Sequence, residues 1–359
     1  MKKIVVVAIS FLLIFGITIN SSAQNTEEMS VMTAKAYSMG GAFTGVADDV
    51  SAVLFNPAGL TQSGVVGFQG NAGISDIDTF SNYRTLADLL DKENIKTEEI
   101  KEIEEKFSDL MNSSVNLQTF AGGNIKSVAL SANLKSDFNI SKQDNGDRIL
   151  KNNNDISAII SYGSKLTSPP GEIGSLAYGF NIKMTQHNYN KYSYDEAKQK
   201  ATTEIKAKGN SIDLDFGVLA KMTDSLKLGA QIENLYSSGY DLEEDGKIVK
   251  DDLSPKRNMR IGASFELPVV GTTLAADLEN IGPISESEEM IYHLGVEQNL
   301  FLNLISVRAG TYGPEINGED SIYTAGVGLN LTKLHLDVAL GADKSGNNKS
   351  GMISGRFKF

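Results

Sequence analysis

Three histidines, His187, His293 and His335, are the side chains whose ordinary pKa allows proton transfer near neutral pH. His335 and Asp337 stand two residues apart on one face of an extended segment, with His293 expected to face the same way. Together with a serine, such a pair would suit nucleophilic catalysis. No nucleophile motif accompanies them, so no catalytic residues are expected. The histidines also lack the clustered spacing of a metal site. Asp241 to Gly246, with Ile248 and Asp252, loosely follows a calcium-loop pattern. Glu243 at its third position and Asp252 at its last depart from that pattern. Asp245-Gly246 is a strong hairpin turn, which is the reading preferred over weak calcium binding. The formal charge of −12 argues against nucleic acid, and no glycine-rich phosphate loop or basic aromatic patch is present. No cofactor is implied.

The charged residues follow a different rule, a period of two. Asp213, Asp215 and Lys221 alternate with Ile212, Leu214, Phe216, Val218, Ala220 and Met222. The same rule places Lys227, Glu233, Arg260, Glu266, Asp277, Glu279, His293, Glu297, Arg308, Asp337 and Arg356 on one face of their segments. Both signs are interleaved there, which favours ion-pair ladders between neighbouring strands and leaves the opposite face apolar. About fourteen such runs of roughly 9–13 residues appear, a length that crosses a membrane at a steep tilt. They begin near residues 63, 114, 125, 155, 173, 210, 225, 256, 271, 288, 303, 320, 333 and 347.

Connections between the runs alternate in length. Long polar ones cover 75–113, 140–154, 187–209, 237–255, 281–287, 313–319 and 343–346. Short ones fall near Gly122 to Asn124, 165–172, Thr223-Asp224, Pro268 to Gly271, Asn299 to Leu302 and Leu331-Thr332. A soluble sandwich has no reason to keep its long loops at one end, whereas an outer-membrane barrel does. The last run puts Ile353, Gly355, Phe357 and Phe359 on one face, the aromatic ending suited to an interfacial girdle. Phe216→Arg on the apolar face is therefore expected to be costly, and Asp215→Asn on the polar face mild.

The expected fold is all-β: a transmembrane antiparallel barrel with an N-terminal plug and a helical outer loop. Residues 1–23 read as a signal peptide, with Lys2 and Lys3 before an apolar run and Ser21-Ser22-Ala23 before the cleavage site. Residues 24–62 form the plug segment and 63–359 the barrel. Within the barrel, 83–112 is helical in period, with Ile100, Ile103, Phe107, Leu110 and Met111 on one face. There is no cysteine, so stability must come from a large core or a closed hydrogen-bonded sheet. The expected location is the outer membrane of a double-membraned bacterium.

The stretch from Ala36 to Leu60 reads AYSMGGAFTGVADDVSAVLFNPAGL. Its glycines, acidic pair and Asn-Pro-Ala-Gly, in this register, resemble the opening of the FadL-type outer-membrane transport proteins and the related PorV/PorQ group. Met259 to Ala263, Leu274 to Asp277, His293 to Glu297, Val307 to Gly310 and Leu336 to Ala339 extend the likeness to PorV-like proteins. The helical insertion resembles a TraF-like conjugal-transfer barrel family with the same opening. The resemblance implies a fourteen-stranded barrel whose N-terminal segment folds inward as a hatch. Gly40, Gly41, Asp48, Asp49, Asn56, Pro57 and Ala58 would then be hatch residues. It also implies passive passage of small hydrophobic or amphipathic molecules, with outer-membrane lipid around the barrel. The alternative is an interaction barrel supporting a secretion or transfer system, with secreted proteins as partners. The mixed charges on the polar face favour that alternative over a greasy fatty-acid channel.

Overall fold

The computed structural model describes residues 31–76, 114–142, 148–166, 174–195, 200–286, 289–346 and 349–359, with isolated positions between 80 and 105. Period-two segments become strands because alternation lets one face be polar and enclosed while the other meets an apolar surround. The first seven are β1 (Val66–Ser75), β2 (Ser114–Ile125), β3 (Val128–Lys142), β4 (Arg148–Lys165), β5 (Ser175–Asp195), β6 (Lys200–Lys221) and β7 (Leu226–Ser237). A hairpin follows, β8 (Tyr240–Glu244) and β9 (Lys247–Leu253). The second seven are β10 (Asn258–Leu267), β11 (Thr272–Glu279), β12 (Ile291–Leu300), β13 (Ile305–Gly313), β14 (Ile322–Leu331), β15 (Leu334–Asp343) and β16 (Ser350–Lys358).

Each of these fourteen pairs antiparallel with its neighbours, and β7 pairs directly with β10. β1 pairs with β16 from Gly67↔Lys358 to Ser75↔Ser350, which closes the sheet into a barrel without free edges. The β8–β9 hairpin stands outside this ring and leans on β6 through Lys208↔Glu243. Its turn residues Asp245 and Gly246 both have positive φ, as a two-residue hairpin requires.

Burial is inverted relative to a soluble barrel. Leu130 and Ile353 are 65% and 60% exposed, whereas Asp213 and Arg308 are 1% and 2% exposed. Apolar side chains outside and charges inside call for a hydrocarbon surround, where a closed barrel leaves no backbone group unpaired. Among the described residues no helix is long and apolar enough to cross a membrane. In strand order the tight turns at 126–127, 222–225, 268–271, 301–304 and 332–333 share one end of the barrel with the connection between β4 and β5, which spans nine residues where a short turn was expected. At the other end β5 and β6 are only four residues apart, where a long loop was expected.

Strands β4 and β6 begin at Arg148 and Lys200, earlier than the sequence pattern suggests. Segments such as Lys151-Asn152-Asn153-Asn154 read as loop because they lack apolar alternation. Yet Asn154 pairs with Ser136 and Asn188 on either side, and ladder pairing in water needs no apolar face. Of the helical insertion expected over 83–112, most lies outside the described residues, although Leu89 and Ile103 are helical and buried. The leader expected over 1–23 lies wholly outside them.

Candidate functional site

Residues 31–64 run through the barrel interior as short turns: α1 (Ala34–Ser38), α2 (Ala52–Phe55) and a 3-10 turn (Pro57–Gln62). α1 packs on β13, β14, β15 and β16, and the 3-10 turn on β4, β5 and β6. Met32, Tyr37, Met39, Phe43, Phe55 and Leu60 are all buried in this arrangement, so the main apolar clusters lie between the segment and the wall. Close approach is demanded at two places. Gly40 has φ +63°, and a Cβ there would stand 2.6 Å from Leu294 O and Thr311 N. A Cβ at Gly179 would stand 2.4 Å from Ala58 N, so β5 can lie against Pro57 and Ala58 only without a side chain.

Polar contacts tie the segment to the wall. Asp49 accepts from Ser51 N at 2.9 Å and pairs with Arg356 at 2.5 Å, joining the segment to the last strand. Asp48 pairs with Lys35 at 2.7 Å. Burial alone would raise the Asp48 carboxyl, but Lys35 and Arg356 hold it below the usual carboxylate range. Asn56 is extended at φ −169°, as the following Pro57 requires. Its amide donates to Thr44 O at 3.1 Å and Val218 O at 2.8 Å, and its oxygen accepts from Ala58 N at 3.2 Å. From the wall, Asp277 accepts from Phe43 N at 2.9 Å and Thr44 N at 2.8 Å. His293 faces Gly40 O at 2.7 Å through Nδ1 and Glu279 at 2.8 Å through Nε2, with the ring beside Gly41.

Most of the remaining inward charges are joined across strands. Arg308 lies between Glu297 at 2.5 Å and Asp337 at 2.7 Å. Arg260 bonds Glu279, and Glu266 pairs with Lys227 at 2.7 Å near the narrow-turn end. Asp215 takes Lys183 at 3.0 Å, Asn181 Nδ2 at 2.9 Å and Asn234 N at 2.9 Å. The expectation that Asp215→Asn is mild therefore has to be revised, because neutralising it weakens a buried lysine and a backbone contact together. His335 bonds Asn330 at 2.7 Å while Asp337 is held by Arg308, so the structure does not bring that His/Asp pair together.

Between the α2 turn and the wall of β3 to β7 and β10 lies a cavity of about 210 Å³. Val31, Val53, Leu54 and Phe55 form its apolar side, and Lys183, His187, Asp213, Asp215, Glu233 and Arg260 contribute to the other. Beside it runs a hydrogen-bonded string that sequence reasoning missed. His187 Nδ1 meets Asp155 at 2.8 Å, Nε2 meets Ser211 Oγ at 3.1 Å, and Ser211 donates to Asp213 at 2.8 Å. The order is that of a catalytic triad, but a serine proton given to Asp213 is not given to the imidazole, so the ring does not activate the hydroxyl. Tyr240 of the hairpin stacks on His187 with centroids 3.8 Å apart. Asp155 escaped notice because it stands at the expected start of a strand, directly after three asparagines read as loop. Its alignment with His187 appears only through the β4–β5 register.

No family model matches the chain, and no curated relative does. Solved structures do. The toluene transporter TbuX of Ralstonia pickettii superposes with a TM-score of 0.57 at 13% identity, over 91% of this chain and 98% of its own. The P. putida toluene transporter TodX follows at 0.56 and 11% identity, with the same two coverages. The chain has the fold of these transporters. A Pseudomonas aeruginosa FadL homologue matches at 0.50 and 12% identity, over 92% of this chain and 99% of its own. At such identities the shared property is architecture, fourteen strands in one closed ring, and residue roles have to come from the geometry above.

Proposed function

We propose that this chain is an outer-membrane channel that passes small hydrophobic or amphipathic molecules passively, with residues 31–64 acting as its plug. One observation carries the reading: the cavity beside the plug adjoins a break in the barrel wall. β6 and β7 are paired from Lys221↔Lys227 to Phe216↔Ile232, and pairing then jumps to Leu214↔Tyr236. Glu233 and Asn234, in the skipped stretch of β7, both line the cavity. Asn234 has a positive φ, and its backbone is held by the Asp215 side chain in place of a ladder partner. A wall held there by side chains opens at less cost than one held by a backbone ladder. An apolar molecule reaching the cavity thus has a short path sideways into hydrocarbon. Two of the structural neighbours are toluene transporters, which agrees with such a cargo.

Deleting residues 33–53 tests the plug role. Conductance in planar bilayers should rise while the barrel keeps heat-modifiable mobility in detergent. A folded deletion variant that conducts no better than the parent would make the ion-paired lumen the seal. The reading as an interaction barrel for secreted proteins would then displace the channel.

A further inference from the structure

The cavity is richer in acceptors than in donors, and the imbalance sits on one residue. Lys183 is shared by Asp215 and Glu233, at 3.0 and 3.1 Å. His187 is occupied by Asp155. The other two bases turn to acids that do not line the cavity, Lys135 to Asp137 at 3.3 Å and Arg260 to Glu279. Among the described residues Asp213 has no basic partner. It is 1% exposed, lines the cavity, and receives one hydrogen bond, from Ser211 to Oδ2; Oδ1 has none. A buried carboxylate with one empty oxygen is a costly arrangement that a donor, above all a cationic one, relieves.

Resting on the channel reading, we propose that the cavity is a binding site for small amphipathic amines, with the ammonium group on Asp213 and the apolar part against Val53, Leu54 and Phe55. Oδ1 is enclosed, so the head group engages the carboxylate by a turn about its Cβ–Cγ bond. The volume of about 210 Å³ lies below that of drug-sized ligand sites, roughly 300–1,000 Å³, and limits the cargo to a single ring or a short chain. A neutral hydrocarbon would fill the apolar side and leave Asp213 as it is.

The test uses the full-length protein in detergent and in liposomes, with phenethylamine, 2-phenylethanol and ethylbenzene as three probes of one shape. Calorimetry or ligand-observed magnetic resonance should rank them in that order, with about tenfold between the first and last, the size of one charge-assisted hydrogen bond. In Asp213→Asn the amine-to-hydrocarbon ratio should fall close to one. Equal binding of phenethylamine and ethylbenzene by the wild type would overturn the proposal without any variant that must fold. So would a ratio that Asp213→Asn leaves unchanged, or an absence of amine binding, which would mean that water satisfies Asp213. Liposome flux separates the two readings. Ethylbenzene whose flux rises above that of protein-free liposomes with no preference for amine sinks this inference alone, whereas no rise for any of the three probes sinks the channel.

Discussion

Arg308→Met removes the cation at the centre of the best-enclosed ion triad in the lumen. The guanidinium bridges Glu297 on β12 and Asp337 on β15, and the side chains of Arg308 and Asp337 are 1% and 2% exposed. It lies against Gly328, where a Cβ would come within 2.9 Å of both terminal nitrogens. Methionine keeps most of the volume, so the cavity penalty is small and the loss is electrostatic. Asp337 would then have no ion pair among the described residues and would keep only the more distant charge of Arg356. Glu297 would keep the nearby charge of Lys35 and Asn299 Nδ2 at 3.3 Å. Removing one member of a buried pair costs about 3–5 kcal/mol. Because Lys35 and Arg356 still act on the two carboxylates, the lower half of that range is expected. The chain has no tryptophan, so urea unfolding in lipid is best followed by circular dichroism and by the heat-modifiable gel shift. The triple variant Arg308→Met, Glu297→Gln, Asp337→Asn should recover most of the loss, since uncharged amides cost far less to bury. A single variant within about 1 kcal/mol of wild type, or a triple variant as weak as the single one, would refute the reasoning.

Phe216→Arg, on the outer face with its ring 5.1 Å from Phe180, should cost about 2–4 kcal/mol if the site is near the bilayer midplane. An arginine tolerated there without loss would place the apolar face somewhere other than in lipid. Asp48, held low by Lys35 and Arg356, stabilises the folded state above the unfolded carboxylate pKa of about 3.9 and loses that contribution as pH falls through its folded value. Asp48→Asn should therefore flatten acid unfolding curves below about pH 4. Identical acid profiles for the two proteins would show that Lys35 and Asp48 are not coupled in solution.

The strand number and the alternation within the strands were legible in the chain because alternation is a local property, whereas loop lengths were not: β4 and β5 are nine residues apart and β5 and β6 only four. Asp213 faces inward simply because Ile212 and Leu214 face out. For the N-terminal segment the sequence offers only a resemblance, since nothing in Gly40 or Asn56 alone says what will surround it. The outer ends of β4 and β6 were hidden, because polar residues that pair in water leave no hydropathy trace. Partner identity was hidden more deeply. Arg308 with Asp337, Asp49 with Arg356, and Asp155 with His187 are separated by 29, 307 and 32 residues. Only closure of the ring at β1–β16, and the register of each ladder, brings them within reach. The cavity and the wall break arise in the same way. A register jump between β6 and β7 depends on how two whole strands fit around residues 31–64, and packing of that kind has no counterpart in a window of neighbouring residues.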